Sequence, residues 1–160
     1  MPICSFEATS ESPAETRRYG RVLGRNARPG DVYLLVGELG AGKTCLTQGV
    51  LWGLGGHEFA RSATFVLASQ YPARLTLYHI DLFRLDDPAE AMDLGLEEYL
   101  YGNGVCVVEW ADKAMDVFPK THLKVEMEVL GARTRRLRFS ADACGYADLL
   151  EALMSKAAGG

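Results

Sequence analysis

The chain has 160 residues, 48% of them hydrophobic and 24% charged, with a formal net charge of −4. That length supports one domain with a substantial core and falls short of two ordinary ones, and the balance of apolar and charged residues is that of a globular protein. The acid excess argues against a free-standing binder of DNA or RNA, which ordinarily carries a basic face; docking onto a partner that holds RNA stays open. No run approaches the 18 apolar residues of a membrane span. Residues 1–12 lack the basic and apolar regions of a signal peptide, so the expected compartment is the cytoplasm.

In chain order, residues 3–7 read as a short strand. Ser12-Pro13-Ala14-Glu15 has the form of a helix start, with Ser12 as N-cap, Pro13 in the first turn and Glu15 reaching back as a capping box. Tyr19, Val22, Leu23 and Asn26 then share one helical face. Arg17, Arg18, Arg21 and Arg25 lie mostly elsewhere, as a solvated face or as a contact for a partner or RNA. Pro29-Gly30 turns the chain into residues 32–36, apolar throughout as a strand covered on both faces should be. A helix is expected over 43–54, with Leu46, Val50, Leu51 and Leu54 inward and Gly55-Gly56 ending it.

Residues 66–71 and 75–81 read as strands joined through Pro72-Ala73-Arg74, a hairpin that sets antiparallel strands beside the main sheet. Two short helical pieces, 88–92 and 96–101, hinge at Gly95, with Asp86 or Asp87 capping the first. Residues 105–110 form another buried strand, and 112–118 a short helix stopped by Pro119. Alternation over 122–129 and 135–140, joined by Gly131-Ala132-Arg133-Thr134, predicts a second hairpin. A last helix over 146–156 carries Leu149, Leu150 and Leu153. Cys4, Cys45, Cys106 and Cys144 show no C-x-x-C spacing, and no disulfide is expected. Cys106 reads as a small hydrophobe; Cys45 reads as helix packing or as a redox-sensitive thiol.

The stretch that organises the chain is Gly37-Glu38-Leu39-Gly40-Ala41-Gly42-Lys43-Thr44, entered from an apolar strand and leading into a helix. This is the G-x-x-x-x-G-K-T phosphate loop, the Walker A motif, in its required context. Glycines let successive N–H groups curl inward toward phosphate oxygens, and the following helix adds its free N–H groups and the positive end of its dipole. Lys43 is expected to reach the β- and γ-phosphates, and Thr44 to take one position on a Mg²⁺ ion. Such a site needs an acid on a neighbouring strand. Asp81 and Glu109 each stand at the C-terminal end of an apolar strand, and which of them touches the metal stays open. A carboxylate at Glu38 would repel phosphate and is expected to point away or to orient water.

The phosphate loop, then Ser62-Ala63-Thr64-Phe65, Tyr78-His79-Ile80-Asp81-Leu82-Phe83-Arg84, Leu94-Gly95-Leu96-Glu97-Glu98-Tyr99 and Val107-Val108-Glu109-Trp110 together resemble the TsaE family, formerly named YjeE. These are small bacterial ATPases needed to form threonylcarbamoyladenosine in tRNA. The likeness runs in order from about residue 10 to residue 110; the H-x-D-L-[YF]-R and E-W blocks are its most particular parts. It implies one α/β domain over residues 1–160, a P-loop NTPase-like three-layer sandwich whose mixed, mostly parallel central sheet is extended by antiparallel strands and hairpins. It implies ATP and Mg²⁺ as cofactors, with Gly37, Glu38, Leu39, Gly40, Ala41, Gly42, Lys43, Thr44 and Cys45 around the phosphates. Thr44 and Glu109 would hold Mg²⁺, with Asp81 on the metal through water or near the attacking water. Lys43, Asp81 and Glu109 would carry catalysis. Trp110 would lie near the nucleotide, and Ser10, or Thr9 beside it, and a hairpin base such as Arg133 on the adenine side. Thr64, in a switch-like segment, would sense the γ-phosphate; Ala63 replaces the proline of the family's S-P-T-F block and leaves that segment freer. Implied partners are TsaD-like and TsaB-like proteins, with tRNA reached only through their complex.

His79 reads as a packed strand residue or a functional one, and Arg84 as an ion pair or a site contact. Two other functions remain beside a weak, partner-coupled ATPase. One is a nucleotide-gated binding module without turnover. The other is a small-molecule P-loop kinase, disfavoured because no arginine-bearing lid follows the acids. No N-K-x-D guanine-reading motif is present, which disfavours a GTPase.

Overall fold

The later apolar runs become strands where their composition predicts them, while the first strand, expected over 3–7, runs on to Ser10. A computed structural model describes residues 5–60, 68–141 and 144–158. Among these, seven strands form one sheet: β1 (Ser5–Ser10), β2 (Val32–Gly37), β3 (Ala68–Tyr71), β4 (Leu77–Asp81), β5 (Val105–Glu109), β6 (Leu123–Val129) and β7 (Arg135–Ala141). Their order is β1-β7-β6-β2-β5-β4-β3. The central four, β6, β2, β5 and β4, run parallel. Both expected hairpins close antiparallel, β3 on β4 at one margin and β6 on β7 toward the other, where β1 completes the sheet against β7.

Alternation along the strands makes two cores, one on each face. Tyr33, Leu35, Val105, Val107, Val125 and Leu137 pack beneath α1 (Pro13–Arg25), α2 (Lys43–Gly53) and α5 (Ala147–Ala158). Val32, Leu34, Ile80, Cys106 and Val108 face the other way, toward α3 (Pro88–Met92), α4 (Glu97–Leu100) and a 3₁₀ segment (Ala111–Val117). The expected three-layer α/β sandwich with a mixed sheet is what the chain builds.

Helix α1 begins as its sequence predicts. The Ser12 hydroxyl accepts from the Glu15 N–H at 3.1 Å, and Pro13 stands in the first turn. Glu15 reaches back one residue further than a capping box requires, to the Glu11 N–H at 3.4 Å. Tyr19 and Leu23 are buried, but Asn26 is not on the core face: it caps the helix, its side-chain amide donating to the Val22 carbonyl at 2.8 Å. Asp87 caps α3. The short helix expected over 112–118 is a 3₁₀ segment over Ala111–Val117, broken at Ala114, and Phe118 is already extended.

Helices α1 and α2 are in near backbone contact, through glycines whose role no periodicity reveals. A Cβ on Gly20 would stand 2.3 Å from the Leu46 carbonyl oxygen, and one on Gly24 2.2 Å from that of Val50. The reciprocal holds on α2, where a Cβ on Gly49 would lie 2.1 Å from the Arg17 carbonyl oxygen and one on Gly53 2.4 Å from that of Arg21. Two G-x-x-x-G stripes therefore cross face to face. The helix that follows the phosphate loop is fixed in depth by this crossing.

Candidate functional site

The parallel centre of the sheet brings the C-terminal ends of β2, β4 and β5 side by side. Glu109 is in register with Leu35 on β2 and with Asp81 on β4. Leu77, His79 and Asp81 share the parity that faces α2, as do Val105, Val107 and Glu109. The chain leaves β2 at Gly37, rounds the loop, and enters α2 at Lys43.

Two left-handed glycines shape the loop, Gly40 at φ +83° and Gly42 at φ +98°. Gly42 is the N-cap of α2 and offers no side chain, so the first N–H groups of the helix are left to another acceptor. Lys43 is buried. Its ammonium donates to the carbonyls of Gly37 at 2.6 Å and Glu38 at 2.9 Å, and lies 3.9 Å from the centroid of the Trp110 ring. Burial holds that ammonium below the usual lysine range, against the opposing pull of Glu109, Asp112, Asp81 and Glu38. The Glu38 and Leu39 side chains are exposed at the loop crest, and Ala41 is buried beneath it.

Thr44, one residue into α2, meets Glu109: its hydroxyl lies 3.2 and 3.3 Å from the two carboxylate oxygens. Glu109 is itself buried and takes a second contact from His79 Nε2. Asp81 is buried beside it and accepts the Phe83 N–H at 2.9 Å. Burial raises the Asp81 carboxyl above the usual range; the Phe83 N–H opposes this and the charge of Glu109 adds to it. The cluster is hard oxygen, a hydroxyl and two carboxylates, which suits Mg²⁺ and not a soft metal. Among the described residues no group of three His, Cys, Asp or Glu side chains encloses a metal ion. A cation here therefore needs ligands from solvent and from an anion, which is the usual habit of Mg²⁺ beside phosphates.

Trp110 follows Glu109 at φ +60°, the one positive-φ residue other than glycine among those described. Its ring packs on Phe83, centroids 5.1 Å apart, and Lys113 ties this wall together by donating to the Phe83 carbonyl at 2.5 Å.

The remaining expected residues divide. Cys45 packs between α1 and α2, its thiol donating to the Pro13 carbonyl at 3.2 Å. Ser10 is fully buried, with its hydroxyl engaged by Thr16 Oγ1 at 2.7 Å and the Ser12 carbonyl at 2.9 Å, while Thr9 beside it is exposed. Arg133 stands exposed in the hairpin turn. The hairpin base that reaches the loop is Arg135, which donates to the Gly40 carbonyl at 3.1 Å. Alternation carried that signal, since Arg135 shares the parity of Leu137 and Phe139, the face under α1 and α2. Residues 62–65, with Ala63 and Thr64, lie outside the described residues.

A family model for threonylcarbamoyl adenosine biosynthesis protein TsaE matches residues 10–137. The tRNA threonylcarbamoyladenosine biosynthesis protein TsaE of Treponema pallidum is 41% identical over 132 residues, covering 82% of this chain and 98% of that one. Its Bacillus subtilis namesake is 40% identical over 143 residues, 89% of each. In three dimensions the chain is similar to the crystal structure of Bacillus subtilis YdiB, with a TM-score of 0.83 at 34% identity over 98% of this chain and 97% of that one. On these matches the chain belongs to the TsaE family of tRNA threonylcarbamoyladenosine biosynthesis.

Proposed function

We propose that this chain is one P-loop ATPase domain of the cytoplasm, weak alone, whose ATP turnover drives the cycle of a TsaD- and TsaB-like complex modifying tRNA. The observation that carries the reading is the Thr44–Glu109 pair set beside Lys43 at the mouth of a glycine-capped helix. The loop N–H groups and the α2 N-terminus cradle the polyphosphate of ATP. Lys43 exchanges its two carbonyl partners for phosphate oxygen, which sets a charged partner directly on its ammonium. Thr44 donates its one hydroxyl proton to Glu109, so that its lone pairs face outward. Mg²⁺, bound with the nucleotide, supplies neutralisation of the charge that builds on the phosphates. Glu109 and Thr44 hold it, and Asp81 orients water at the same edge. Trp110 forms a wall of the nucleotide site, and the hairpin arginines lie on the nucleotide's outer side.

Calorimetry with ATP and Mg²⁺, and phosphate release with and without the partner complex, test the reading. Lys43→Ala should lose both nucleotide binding and turnover; unchanged turnover in that variant rejects it. Binding without single-turnover hydrolysis, partners present, would leave a nucleotide-gated module instead.

A further inference from the structure

His79 is fully buried in the middle of β4, a strand otherwise made of Leu77, Tyr78, Ile80 and Asp81. Its Nε2 meets Glu109 Oε2, and its Nδ1 has no hydrogen-bond partner among the described residues. A buried unpartnered nitrogen is costly, and leucine or valine would fill a strand interior without that cost. The register explains what the ring does there. His79 pairs with Val107, two residues before Glu109 on the same face, so the ring lies directly behind the carboxylate. Among the described residues nothing engages Nδ1, so there the contact with Glu109 is what favours a proton on one ring nitrogen over the other.

We propose that His79 is the positioning residue of Glu109, donating its Nε2–H to one carboxylate oxygen and thereby turning the carboxylate toward Thr44. The inference rests on the reading of Glu109 as the acid of a Mg²⁺–nucleotide site. Thr44 reaches Glu109 from α2 and His79 reaches it from the neighbouring strand β4, so donors from two different elements hold one carboxylate. A carboxylate fixed on one side only would rotate about its last torsion and lose the orientation that Thr44 and a cation require. Residues that orient a metal ligand from behind typically govern about 10–100-fold in metal affinity or activity.

The test is ADP affinity of the purified chain, measured by calorimetry with and without Mg²⁺. The metal-free affinity should be the same in all variants. The gain conferred by Mg²⁺ should fall about 10–100-fold in His79→Leu and in His79→Asn, whose amide is too short to reach Glu109. His79→Gln, whose terminal amide reaches as far as Nε2, should recover most of it. A full Mg²⁺ gain in His79→Leu overturns this role alone, as does a loss in His79→Gln equal to that in His79→Leu. The absence of any Mg²⁺ gain in the unsubstituted chain overturns the proposed function and this role with it. Should the leucine variant fail to fold, long-range ¹⁵N–¹H spectra of the unsubstituted chain decide, with His57→Gln and His122→Gln assigning the other rings. A proton on Nε2 of His79 supports the role, and a ring protonated on Nδ1 alone overturns it.

Discussion

The Lys43 ammonium lies 3.9 Å from the centroid of the Trp110 ring. Trp110 is held at φ +60°, a conformation that is strained for a bulky residue and persists where surroundings enforce it. On the proposed function, polyphosphate entering the loop should draw the ammonium off the ring and change the indole's environment. Nucleotide titration should therefore change tryptophan emission, and Trp110→Phe should abolish the change while Trp52→Phe leaves it. Trp52 is a fair control because it packs on Arg21 and Phe59, away from the loop. An unchanged emission at saturating nucleotide would separate the ring from the site.

The glycine crossing of α1 and α2 makes a prediction about stability. Gly49→Ala forces a methyl to within 2.1 Å of the Arg17 carbonyl oxygen, a backbone atom with no rotamer to yield. The helices must move apart, at an expected cost of about 1–3 kcal/mol or more. In a chain of this size each kcal/mol lowers Tm by about 2–4 °C. Gly20→Ala should behave alike, and Gly131→Ala, where a Cβ meets only Thr134 at 3.9 Å, should cost little. Thermal melts of the three decide, and a wild-type Tm for Gly49→Ala would refute the close contact.

What was legible in the sequence is what local chemistry dictates. G-x-x-x-x-G-K-T needs its strand and helix, so residues 37–44 declare the loop and its neighbours. Asp81 and Glu109 declare themselves as acids that end apolar runs. The helix-to-helix glycines were not legible: Gly20, Gly24, Gly49 and Gly53 look like helix weaknesses until the partner backbone is seen. Arg133 drew attention as a turn base, yet strand parity brings Arg135 to the loop. For His79 both readings stood open, because whether a strand histidine packs or acts depends on what the next strand sets beside it, here Glu109.

Alkaline pH should unfold the chain through its buried acids. Burial pushes the Cys106 thiol from 9.0 up to about 12, and the Tyr146 hydroxyl from 10.0 up to about 12. Below pH 9 the thiol is protonated whether folded or not, and its contribution is fully present. Above pH 9 the unfolded chain releases a proton that the folded chain keeps until about pH 12, so stability falls as pH rises through that window. Cys106 alone accounts for at most about 4 kcal/mol across it. Denaturant midpoints at pH 8 and pH 10.5 should diverge, and Cys106→Ala should narrow the difference. Equal slopes in the two chains would dismiss the thiol as a cause.

Arg135 and Arg133 are two residues apart and make opposite predictions. Arg135 reaches the Gly40 carbonyl at the loop crest and also holds the carbonyls of Gly131 and Thr134 at 2.8 and 2.9 Å. Arg133 stands exposed in the turn. Removing a hydrogen bond from a charged donor costs about 1.5–3 kcal/mol, so Arg135→Ala should weaken nucleotide binding about tenfold or more. Arg133→Ala should change it less, as calorimetry on both variants will show. The reverse ranking would return the turn arginine to the nucleotide.

Thr44 offers the most direct test of how the site is assembled. Its hydroxyl has a single proton, and Glu109 stands 3.2 and 3.3 Å from it with both oxygens. Thr44→Ser keeps the hydroxyl and should keep most turnover. Thr44→Val keeps the shape and loses both the proton for Glu109 and the lone pairs for a cation. A bond to a charged group is worth about 1.5–3 kcal/mol, so turnover in the valine variant should fall about 10–100-fold. Its fold should survive, because Glu109 retains His79 and the α2 backbone is untouched. Phosphate release measured beside thermal melts separates the two effects. A valine variant that turns over as fast as the serine one would mean that the Thr44–Glu109 contact belongs to the resting chain and has no part in its chemistry.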